Sequence, residues 1–254
     1  MHVLVTGGTD QSGPLASPNR SAPATPSRAW RARTQLWLTT RTGEETSMKV
    51  LVVGAAGKTG RAVVERAVKE GHEVTAFVHN DGSFDVPGVE VRAGDAVDSG
   101  AMEAAILGQD AVIDTVGGKT PYKHTTLEAS VAATIVAAMQ RHGARRLLVT
   151  SMVGEGDSAA HTPFYVKILL ATFLRGATPD KAKMESTVSG SELDWVITRP
   201  AVLTDKPATG DVRVFSADNR GQARSITRSD LAAFLVAQLT SDDHLRQAVT
   251  IANR

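Results

Sequence analysis

The sequence predicts an α/β fold, a single domain built on a doubly wound parallel sheet that helices cover on both faces. From Met48 onward, short apolar runs alternate with longer segments of helical periodicity. Strands that are separated by helices pair in parallel through right-handed crossovers. Several of the runs are apolar at every position, which is typical of strands buried on both faces of a sheet.

The individual elements follow from composition and periodicity. Strand composition predicts seven strands, at 49–53, 73–78, 89–92, 111–115, 146–150, 195–198 and 248–252. Helical periodicity predicts helices at 60–70, 99–107, 126–142, 179–189 and 229–239. Gly71 and Gly143 follow two of these helices and suit a left-handed helix end. Ser229 and Asp230 are candidate caps for the last helix, which we expect to begin near Leu231.

Residues 1–47 differ in composition from the rest of the chain. The stretch after Asp10 is rich in Pro, Ser, Thr and Arg and has no acidic residue before Glu44. Without periodic apolar positions it cannot offset the entropy of ordering, so we expect it to be disordered. The first nine residues echo the strand that begins at Met48, which favours a truncated copy of that strand or a start assigned too far upstream. A transit peptide is a third interpretation. The sequence thus predicts an extension over 1–47 and one domain over 48–254.

Composition narrows the classes of function. The formal net charge is +1, so we expect no nucleic-acid partner and no acidic membrane partner. The absence of cysteine excludes disulfides and thiolate metal sites and fits a reducing compartment. No apolar run approaches the roughly 20 residues of a membrane helix, and the first residues lack the pattern of a secretory signal. We therefore expect a cytoplasmic protein without a metal site.

The segment Val53-Gly-Ala-Ala-Gly-Lys-Thr-Gly60 carries the strongest functional signal. An apolar strand runs into a glycine-spaced turn and a helix, which brings backbone N–H groups and the positive end of a helix dipole to one point. Gly54 permits the tight turn, and Gly57 allows a phosphate to approach the backbone. Gly60 allows the helix to pack closely on the strand. An ATPase-type loop is excluded because Val52 stands where that loop needs its first glycine.

This motif predicts a Rossmann-type sheet that binds a dinucleotide by its pyrophosphate. Ligands of such sheets bind beyond the carboxyl ends of the strands. The candidate cofactor-binding residues therefore follow the strand ends: Gly54, Ala56, Gly57, Lys58, Thr59, Gly60, His79, Asn80, Asp95, Ala96, Thr115, Val116, Gly117, Ser151, Met152, Pro200 and Ala201.

Two of these positions have competing interpretations. An acid at the end of the second strand would bind the ribose of NAD, but His79 and Asn80 stand there. Together with Lys58 they favour NADP(H) over NAD(H), although His79 is also compatible with an ordinary strand end. Asp95 is a candidate adenine contact or a helix N-cap for the segment around Ser99. Gly117 and Gly118 favour close backbone approach to a pyrophosphate or a nicotinamide ribose.

Taken together, these residues resemble the short-chain dehydrogenase/reductase superfamily, in its atypical branch of NmrA-like and flavin reductase-like (biliverdin reductase B-like) proteins. The resemblance covers Met48 to the C-terminus. Besides the glycine loop, it is carried by Gly94-Asp-Ala96, Arg146-Leu-Leu-Val-Thr-Ser151, Asp180-Lys-Ala-Lys-Met-Glu185, Ser191-Glu-Leu-Asp-Trp-Val-Ile-Thr-Arg-Pro200 and Ser225-Ile-Thr-Arg-Ser-Asp-Leu-Ala-Ala233.

The resemblance implies an NAD(P)H-binding domain, often with reductase activity on flavins or quinones. It also implies an Arg at the position of His79, so this departure weakens the NADP preference. Lys181 matches the family's lysine four residues before a glutamate, here Glu185. An ion pair between them, one helical turn apart, and a role of Lys181 beside the cofactor are both open.

The proton-donating pair of the main dehydrogenase branch is missing. That branch uses a Tyr with a Lys four positions later, whereas Thr126 follows Tyr122 at that spacing and Leu169 follows Tyr165. Hydride transfer without a dedicated acid fits a planar, electron-poor acceptor such as a flavin or quinone. The candidate catalytic residues are Ser151, to orient the acceptor, and Lys181.

Several other side chains have simpler interpretations. Tyr165 is a candidate to reach the pocket, but we expect it to pack in the core of the apolar helix with Phe164 and Leu169. We expect His124 and His161 to be surface residues without metal-ligand spacing. The loops over the crevice, 154–179 and 202–223, are predicted to set substrate choice. Within the first of them, the apolar segment 164–174 is expected to form a lid helix or a subunit contact.

The sequence leaves two hypotheses for function. The first is an NAD(P)H-dependent oxidoreductase that transfers hydride to a small-molecule acceptor. The second is a non-catalytic NAD(P)-binding regulator of the NmrA type, and only this hypothesis requires a protein partner.

Overall fold

The computed structural model describes residues 47–80, 82, 84–118, 125–154, 156–172, 178–215 and 221–254. The predictions for residues 1–46 and for His124 lie outside these described residues. Within them, the strands are β1 Lys49–Val53, β2 Glu73–Val78, β3 Glu90–Ala93, β4 Ala111–Asp114, β5 Arg146–Thr150, β6 Asp194–Pro200, β7 Val202–Thr204, β8 Val212–Phe215, β9 Ser225–Thr227 and β10 Gln247–Asn253. The α-helices are α1 Lys58–Lys69, α2 Ser99–Ile106, α3 Leu127–His142, α4 Phe164–Thr172, α5 Thr178–Ser189 and α6 Arg228–Ala237.

The main sheet has the strand order β3-β2-β1-β4-β5-β6-β10-β8. All neighbours pair in parallel except β8, which runs antiparallel to β10 at one edge. Strands β7 and β9 form a small separate parallel pair. The order reverses at β1, which pairs with β2 on one side and β4 on the other, so a crevice opens there beyond the carboxyl ends of the strands. The doubly wound parallel sheet predicted from the sequence is confirmed.

Helices bury both faces of this sheet. Val50 and Val52 of β1 pack in a core with the side chains of α1 and α6, whereas Leu51 and Val53 pack in a second core with α2, α3 and α5. Successive side chains of a strand point to opposite faces, which is why an apolar run fills both cores. Each fully buried Val or Leu contributes about 1.5–3 kcal/mol to folding. This burial holds the strand ends, and hence the crevice, in fixed positions.

The end of α6 nearest the crevice is built differently from the prediction. Thr227, not Ser229 or Asp230, caps the helix, and its hydroxyl accepts a hydrogen bond from Asp230 N at 3.0 Å. Asp230 is buried and accepts from the backbone N–H groups of Thr209 and Gly210, both at 2.9 Å. Although burial opposes ionisation, these hydrogen bonds hold the pKa of Asp230 below its ordinary value. Asp230 thereby connects α6 to the loop before β8.

The segments predicted as loops over the crevice contain regular structure. A 3-10 helix at Gly156–His161 and helix α4 lie in the first, and β7 and β8 lie in the second. Among the described residues, no helix combines the length and apolar composition needed to span a membrane.

Candidate functional site

The glycine loop has the geometry that a close turn requires. Gly54 has a φ of +78°, and its N–H and that of Ala55 both donate to the carbonyl oxygen of Phe77, at 3.2 and 3.3 Å. A β-carbon at Gly60 would overlap the Gly54 carbonyl oxygen and stand 2.8 Å from Ala55 Cα. Only glycine therefore lets α1 pack this closely on the loop.

The first turn of α1 is open to an anion. Gly57 is the N-cap residue, no side chain caps the helix, and no acidic residue lies in its first turn. The N–H groups at Lys58, Thr59 and Gly60 are the ones that a helix start leaves without intrahelical partners. A β-carbon at Gly57 would meet only the Gly54 oxygen, at 3.2 Å. The free amides, the helix dipole and the absence of a side chain at Gly57 together fit the pyrophosphate of a dinucleotide.

Cationic side chains surround this loop. Lys58 Nζ lies 2.8 Å from Asp205 Oδ2, and Asp205 also binds Arg228. The hydrogen bond from Lys58 and the charge of Arg228 hold the pKa of Asp205 below its usual range. The predicted binding residue Lys58 is therefore paired with an exposed carboxylate that the sequence did not indicate.

Arg61 of α1 contacts the segment that follows β2 and places a cation there that the sequence patterns did not predict. His79 and Asn80 are exposed, directly after the strand. The guanidinium of Arg61 lies 5.1 Å from the ring centroid of Phe84, in the segment that follows β2, and donates to the carbonyl oxygen of Asp85 at 3.4 Å. Arg61 directly follows Gly60 of the glycine motif. That position could have identified Arg61 as a candidate cation beside the cofactor, but the residues predicted from the sequence did not include it.

Asp95 does not cap the following helix. Asp98 is the N-cap of α2 and accepts from Ala101 N at 2.7 Å, whereas Asp95 Oδ1 accepts from Val97 N at 3.1 Å. Asp98 lies one residue before the helix, and that position is the one whose side chain reaches the free amides. The interpretation of Asp95 as a helix cap is wrong; exposed Asp95 and half-buried Ala96 follow β3 at the carboxyl edge.

Two carboxylates hold the loop after β4. Asp114, the last residue of the strand, accepts from Val116 N at 2.9 Å, and Glu128 of α3 accepts from Gly118 N at 3.1 Å. The hydroxyl of Thr115 donates to Val53 O at 2.9 Å. The loop that includes Gly117 is therefore fixed against β1 and α3 by buried polar groups.

Lys181 pairs with a different carboxylate from the one expected. Its Nζ lies 2.8 Å from Glu128 Oε2, an ionic contact whose approach angle is outside hydrogen-bond geometry. Glu185 instead makes a buried pair with Arg199 of β6, with Nη2 to Oε2 at 2.6 Å and Nε to Oε1 at 3.0 Å. The predicted Lys181–Glu185 pair is wrong, because packing of α5 on α3 and β6 offers each side chain a buried partner of opposite charge.

The charged groups around Lys181 form a buried cluster. Asp180 accepts from the backbone N–H groups of Glu128 and Ala129, at 3.1 and 2.9 Å, and so caps α3. Asp114 is fully buried, and this burial raises its pKa to about 7, with the Glu128 charge adding to the rise and Lys181 opposing it. The sequence patterns placed Asp114 on a strand and the other three residues on two helices. Such patterns do not indicate which side chains of different elements come into contact.

The ends of β5 and β6 supply a hydroxyl without a partner. Ser151 is buried, and within the described part of the chain its Oγ has no hydrogen-bond partner, while its N–H donates to Thr198 O at 2.8 Å. Half-buried Met152 follows it. Buried Pro200 and Ala201 stand at the end of β6, where the Pro200 carbonyl accepts from Val153 N at 3.2 Å. A buried hydroxyl without a partner is costly unless a ligand satisfies it.

A cavity of about 480 Å³ lies beyond β5. It is lined by Gly154, Ala159, Thr162, Lys167, Ala171, Thr178 and Pro179. The predicted core position of Tyr165 is wrong: its side chain is exposed, as is that of Phe164, while Val166 is buried. His161 is not a surface residue but is buried against Phe215, with ring centroids 5.3 Å apart. In the described residues, no group of three or more His, Asp or Glu side chains could hold a metal ion.

Comparisons with known proteins agree with this geometry. YwnB of Bacillus subtilis strain 168 is 26% identical over 218 residues, which cover 81% of this chain and 99% of YwnB. The structure of ChuY, an anaerobillin reductase from Escherichia coli O157:H7, is 25% identical with a TM-score of 0.67 and covers 81% of this chain and 97% of ChuY. The oxidoreductase YlbE from Lactococcus lactis shares the fold, with a TM-score of 0.69 at 18% identity over 82% of this chain and 91% of YlbE.

The family profile for NAD(P)H-binding proteins matches residues 54–242, from the first glycine of the loop to beyond α6. This match contains the glycine loop, the strand ends and the buried cluster described above. The fold is that of NAD(P)-binding oxidoreductases, and a nicotinamide cofactor fits the open first turn of α1. The chain belongs to the NAD(P)H-binding family.

Proposed function

We propose that this protein is an NADPH-dependent reductase that transfers hydride to a small planar acceptor such as a flavin or a quinone. The observation that carries the proposal is the mostly apolar cavity lined by residues that follow the carboxyl end of β5. The glycine loop follows the carboxyl end of β1, and the carboxyl ends of parallel strands lie at one edge of a sheet. Apolar pockets with few polar groups suit flat aromatic ligands. The similarity to ChuY, which is named an anaerobillin reductase, supports a reductase that acts on a small molecule.

The proposed cofactor site follows the carboxyl edge of the sheet. The N–H groups of Lys58, Thr59 and Gly60 would hold the pyrophosphate at the bare Gly57. Asp95 and Ala96 would flank the adenine. The loop of Thr115, Val116 and Gly117 would flank the nicotinamide ribose, with Ser151, Met152, Pro200 and Ala201 opposite it. The fixed hydrogen bonds of this loop supply the rigidity that such positioning needs.

A preference for NADP(H) over NAD(H) is part of the proposal. Lys58 and Arg61 both lie on the first turn of α1, and His79 follows β2, where the adenosine ribose binds in such sheets. Each of the three offers positive charge or a donor to a 2′-phosphate. A thermal-shift comparison of NADPH and NADH tests this, and we expect the larger shift with NADPH.

The chain's own residues would position the reactants and leave the hydride chemistry to the bound nicotinamide. Ser151 Oγ, buried and unpartnered, would donate to a carbonyl oxygen of the acceptor. Lys181 is committed to Glu128, so we assign it a positioning role at the cofactor side rather than proton transfer. The acceptor would then take its proton from solvent, either directly or through the Ser151 hydroxyl, which regains a proton from water.

The test follows NADPH oxidation with a panel of flavins and quinones. Turnover with at least one acceptor is expected, and Ser151→Ala should lower kcat about tenfold or more, as loss of one oriented donor does. Thr172→Ala, an exposed helix position, is the matched control. Binding of NADPH without turnover of any acceptor would argue against a reductase.

A second candidate is a non-catalytic NAD(P)-binding regulator of the NmrA type. It is favoured by the engagement of Lys181 with Glu128, which takes up the lysine that the sequence offered as a catalytic candidate. This candidate predicts similar affinity for the oxidised and reduced cofactor, no turnover, and a protein partner in pull-downs.

A further inference from the structure

Three carboxyl groups and one ammonium group are buried together behind the loop that follows β4. We call Asp114, Glu128, Asp180 and Lys181 the acidic cluster. The three acidic residues are 3–4% exposed, and the Lys181 side chain is 12% exposed. Two members hold the loop directly, since Val116 N donates to Asp114 and Gly118 N donates to Glu128. The cluster is therefore part of the wall behind the proposed cofactor loop.

The cluster has a surplus of negative charge. Lys181 is the only cation of the described chain that pairs with its carboxylates, and it contacts Glu128. Asp180 is stabilised by two amides at the start of α3, which carry only partial charge. The groups that face Asp114 are Glu128 from α3 and Lys181 from α5, whereas its register neighbours, Val53 in β1 and Val149 in β5, are apolar. Ionised, the cluster places three negative charges against one positive charge.

The two oxidation states of a nicotinamide cofactor differ in charge at the ring. The oxidised ring is positive and the reduced ring is neutral, while the phosphates and riboses are the same in both. A local field is therefore what distinguishes the two forms electrostatically. Charges in a buried, poorly polarisable setting act over longer distances than charges in water.

We propose that the acidic cluster makes the site bind the oxidised cofactor more tightly than the reduced cofactor. The inference rests on the proposed function, because it needs the nicotinamide end beside the loop 115–118. Tighter binding of the oxidised form makes the bound reduced form a stronger hydride donor, and each tenfold difference in Kd corresponds to about 30 mV of the two-electron potential. Asp114 is thus a specificity-determining residue that acts through the field and not through contact.

The experiment measures Kd for NADP⁺ and for NADPH on the full chain at pH 8 by isothermal titration. We expect NADP⁺ to bind about tenfold more tightly, and Asp114→Asn to reduce this ratio severalfold while both forms still bind. Asparagine keeps the oxygen that accepts from Val116, so the loop is retained. Asp194→Asn makes the same change at the amino edge of the sheet and should leave the ratio unchanged.

A variant with the opposite predicted effect distinguishes an electrostatic effect of the cluster from structural damage. Lys181→Met removes the one positive charge and also lets the pKa of Asp114 rise further. Measured at a pH far enough above that pKa for Asp114 to stay ionised, the NADP⁺ preference should increase even if both affinities fall. Glu128→Gln removes a negative charge and should decrease it. If one of Asp114→Asn, Glu128→Gln and Lys181→Met does not fold, the other two still test the proposal. A variant that removes a negative charge should weaken the NADP⁺ preference, and the variant that removes the positive charge should strengthen it.

The pH dependence gives an independent readout. Burial raises the pKa of Asp114 to about 7, so the surplus charge forms as the pH rises through that value. The preference of the wild type for NADP⁺ should grow between pH 6 and pH 8 and stay level in Asp114→Asn. Equal affinities in a wild type that turns over NADPH would overturn this inference alone. Failure of both forms to bind would overturn the proposed function with it.

Discussion

At the scale of single residues, the glycines of the loop act through the side chains they lack. Gly54 adopts a left-handed backbone, and Gly60 lets α1 touch the loop, so both are needed for the fold. Gly57 differs because its φ of −71° is open to any residue and a β-carbon there would meet one atom, the Gly54 carbonyl oxygen at 3.2 Å. The proposed pyrophosphate site therefore accounts for the missing side chain more fully than this single contact does.

Replacing Gly57 by valine tests this separation. The branched side chain would stand where the pyrophosphate approaches, so we expect the Kd for NADPH to rise at least tenfold with a change in Tm of only a few degrees. Gly100→Ala, in the first turn of α2, is the control: it should leave the Kd for NADPH unchanged and raise Tm by a few degrees at most, because alanine favours a helix over glycine. Unchanged NADPH affinity in Gly57→Val would remove the proposed pyrophosphate site.

Asp114 makes a second prediction at the residue scale, on stability. Its folded pKa is raised from 3.8 to about 7, so its contribution to stability is present below pH 4 and is lost as the pH rises through 7. The stability of Asp114→Asn relative to wild type should therefore increase between pH 5 and pH 8, by a few kcal/mol. Urea unfolding at three pH values measures this, with Asp194→Asn as the control. A pH-independent difference would contradict the assignment.

At the scale of elements, helix α5 is attached at two successive turns to two different neighbours. Lys181 reaches Glu128 of α3, and Glu185 reaches Arg199 of β6. Both pairs are buried, so each is strong only as long as both partners are present. The attachment fixes the start of α5, with Thr178 and Pro179, as one wall of the cavity.

Glu185→Gln tests the second attachment. It leaves the Arg199 guanidinium buried without its carboxylate, and loss of one partner of such a pair costs about 3–5 kcal/mol. The free energy of unfolding from urea titration measures the loss. Disruption of the exposed Arg145–Asp194 pair by Asp194→Asn should cost less than about 1 kcal/mol. Equal effects of the two substitutions would show that burial does not decide the strength of these pairs.

At the scale of the whole molecule, the reversal of strand order at β1 gathers the functional residues. The glycine loop, the loop after β4 and the ends of β5 and β6 are far apart in sequence, yet all stand beyond the carboxyl ends of adjacent strands. The cavity adds α4 and the start of α5 to this edge.

Deletion of residues 1–47 tests the predicted domain division. Within the described residues, the chain that starts at Met48 loses one exposed hydrogen bond, from Ser47 Oγ to Gly71 O at 2.9 Å. We expect Tm to change by no more than a few degrees and the Kd for NADPH to stay within twofold, since one exposed hydrogen bond contributes about 1 kcal/mol. A deletion variant that unfolds or loses cofactor binding would assign those residues to the domain.

Much of the fold was predictable because it depends on local patterns. The apolar runs of β1, β2 and β5 were placed with the bounds that the structure has, since buried parallel strands read as continuous apolar segments. Strands β7, β8 and β9 were missed because short, half-exposed strands are stabilised by pairing rather than by composition. The cap of α6 was misplaced because Thr227, Ser229 and Asp230 are all good capping residues.

The sequence by itself determined the parallel strands of the main sheet, the glycine loop and the order of residues along the carboxyl edge. Those features follow from backbone preferences and hydrophobic periodicity, which act within a few residues. Only the tertiary structure decided which charges meet: Lys181 with Glu128, Glu185 with Arg199, and Asp114 buried beside the first of these pairs. Ion pairs of this kind are selected by packing between distant elements, because burial forces each charge to take the partner that its neighbours bring within reach.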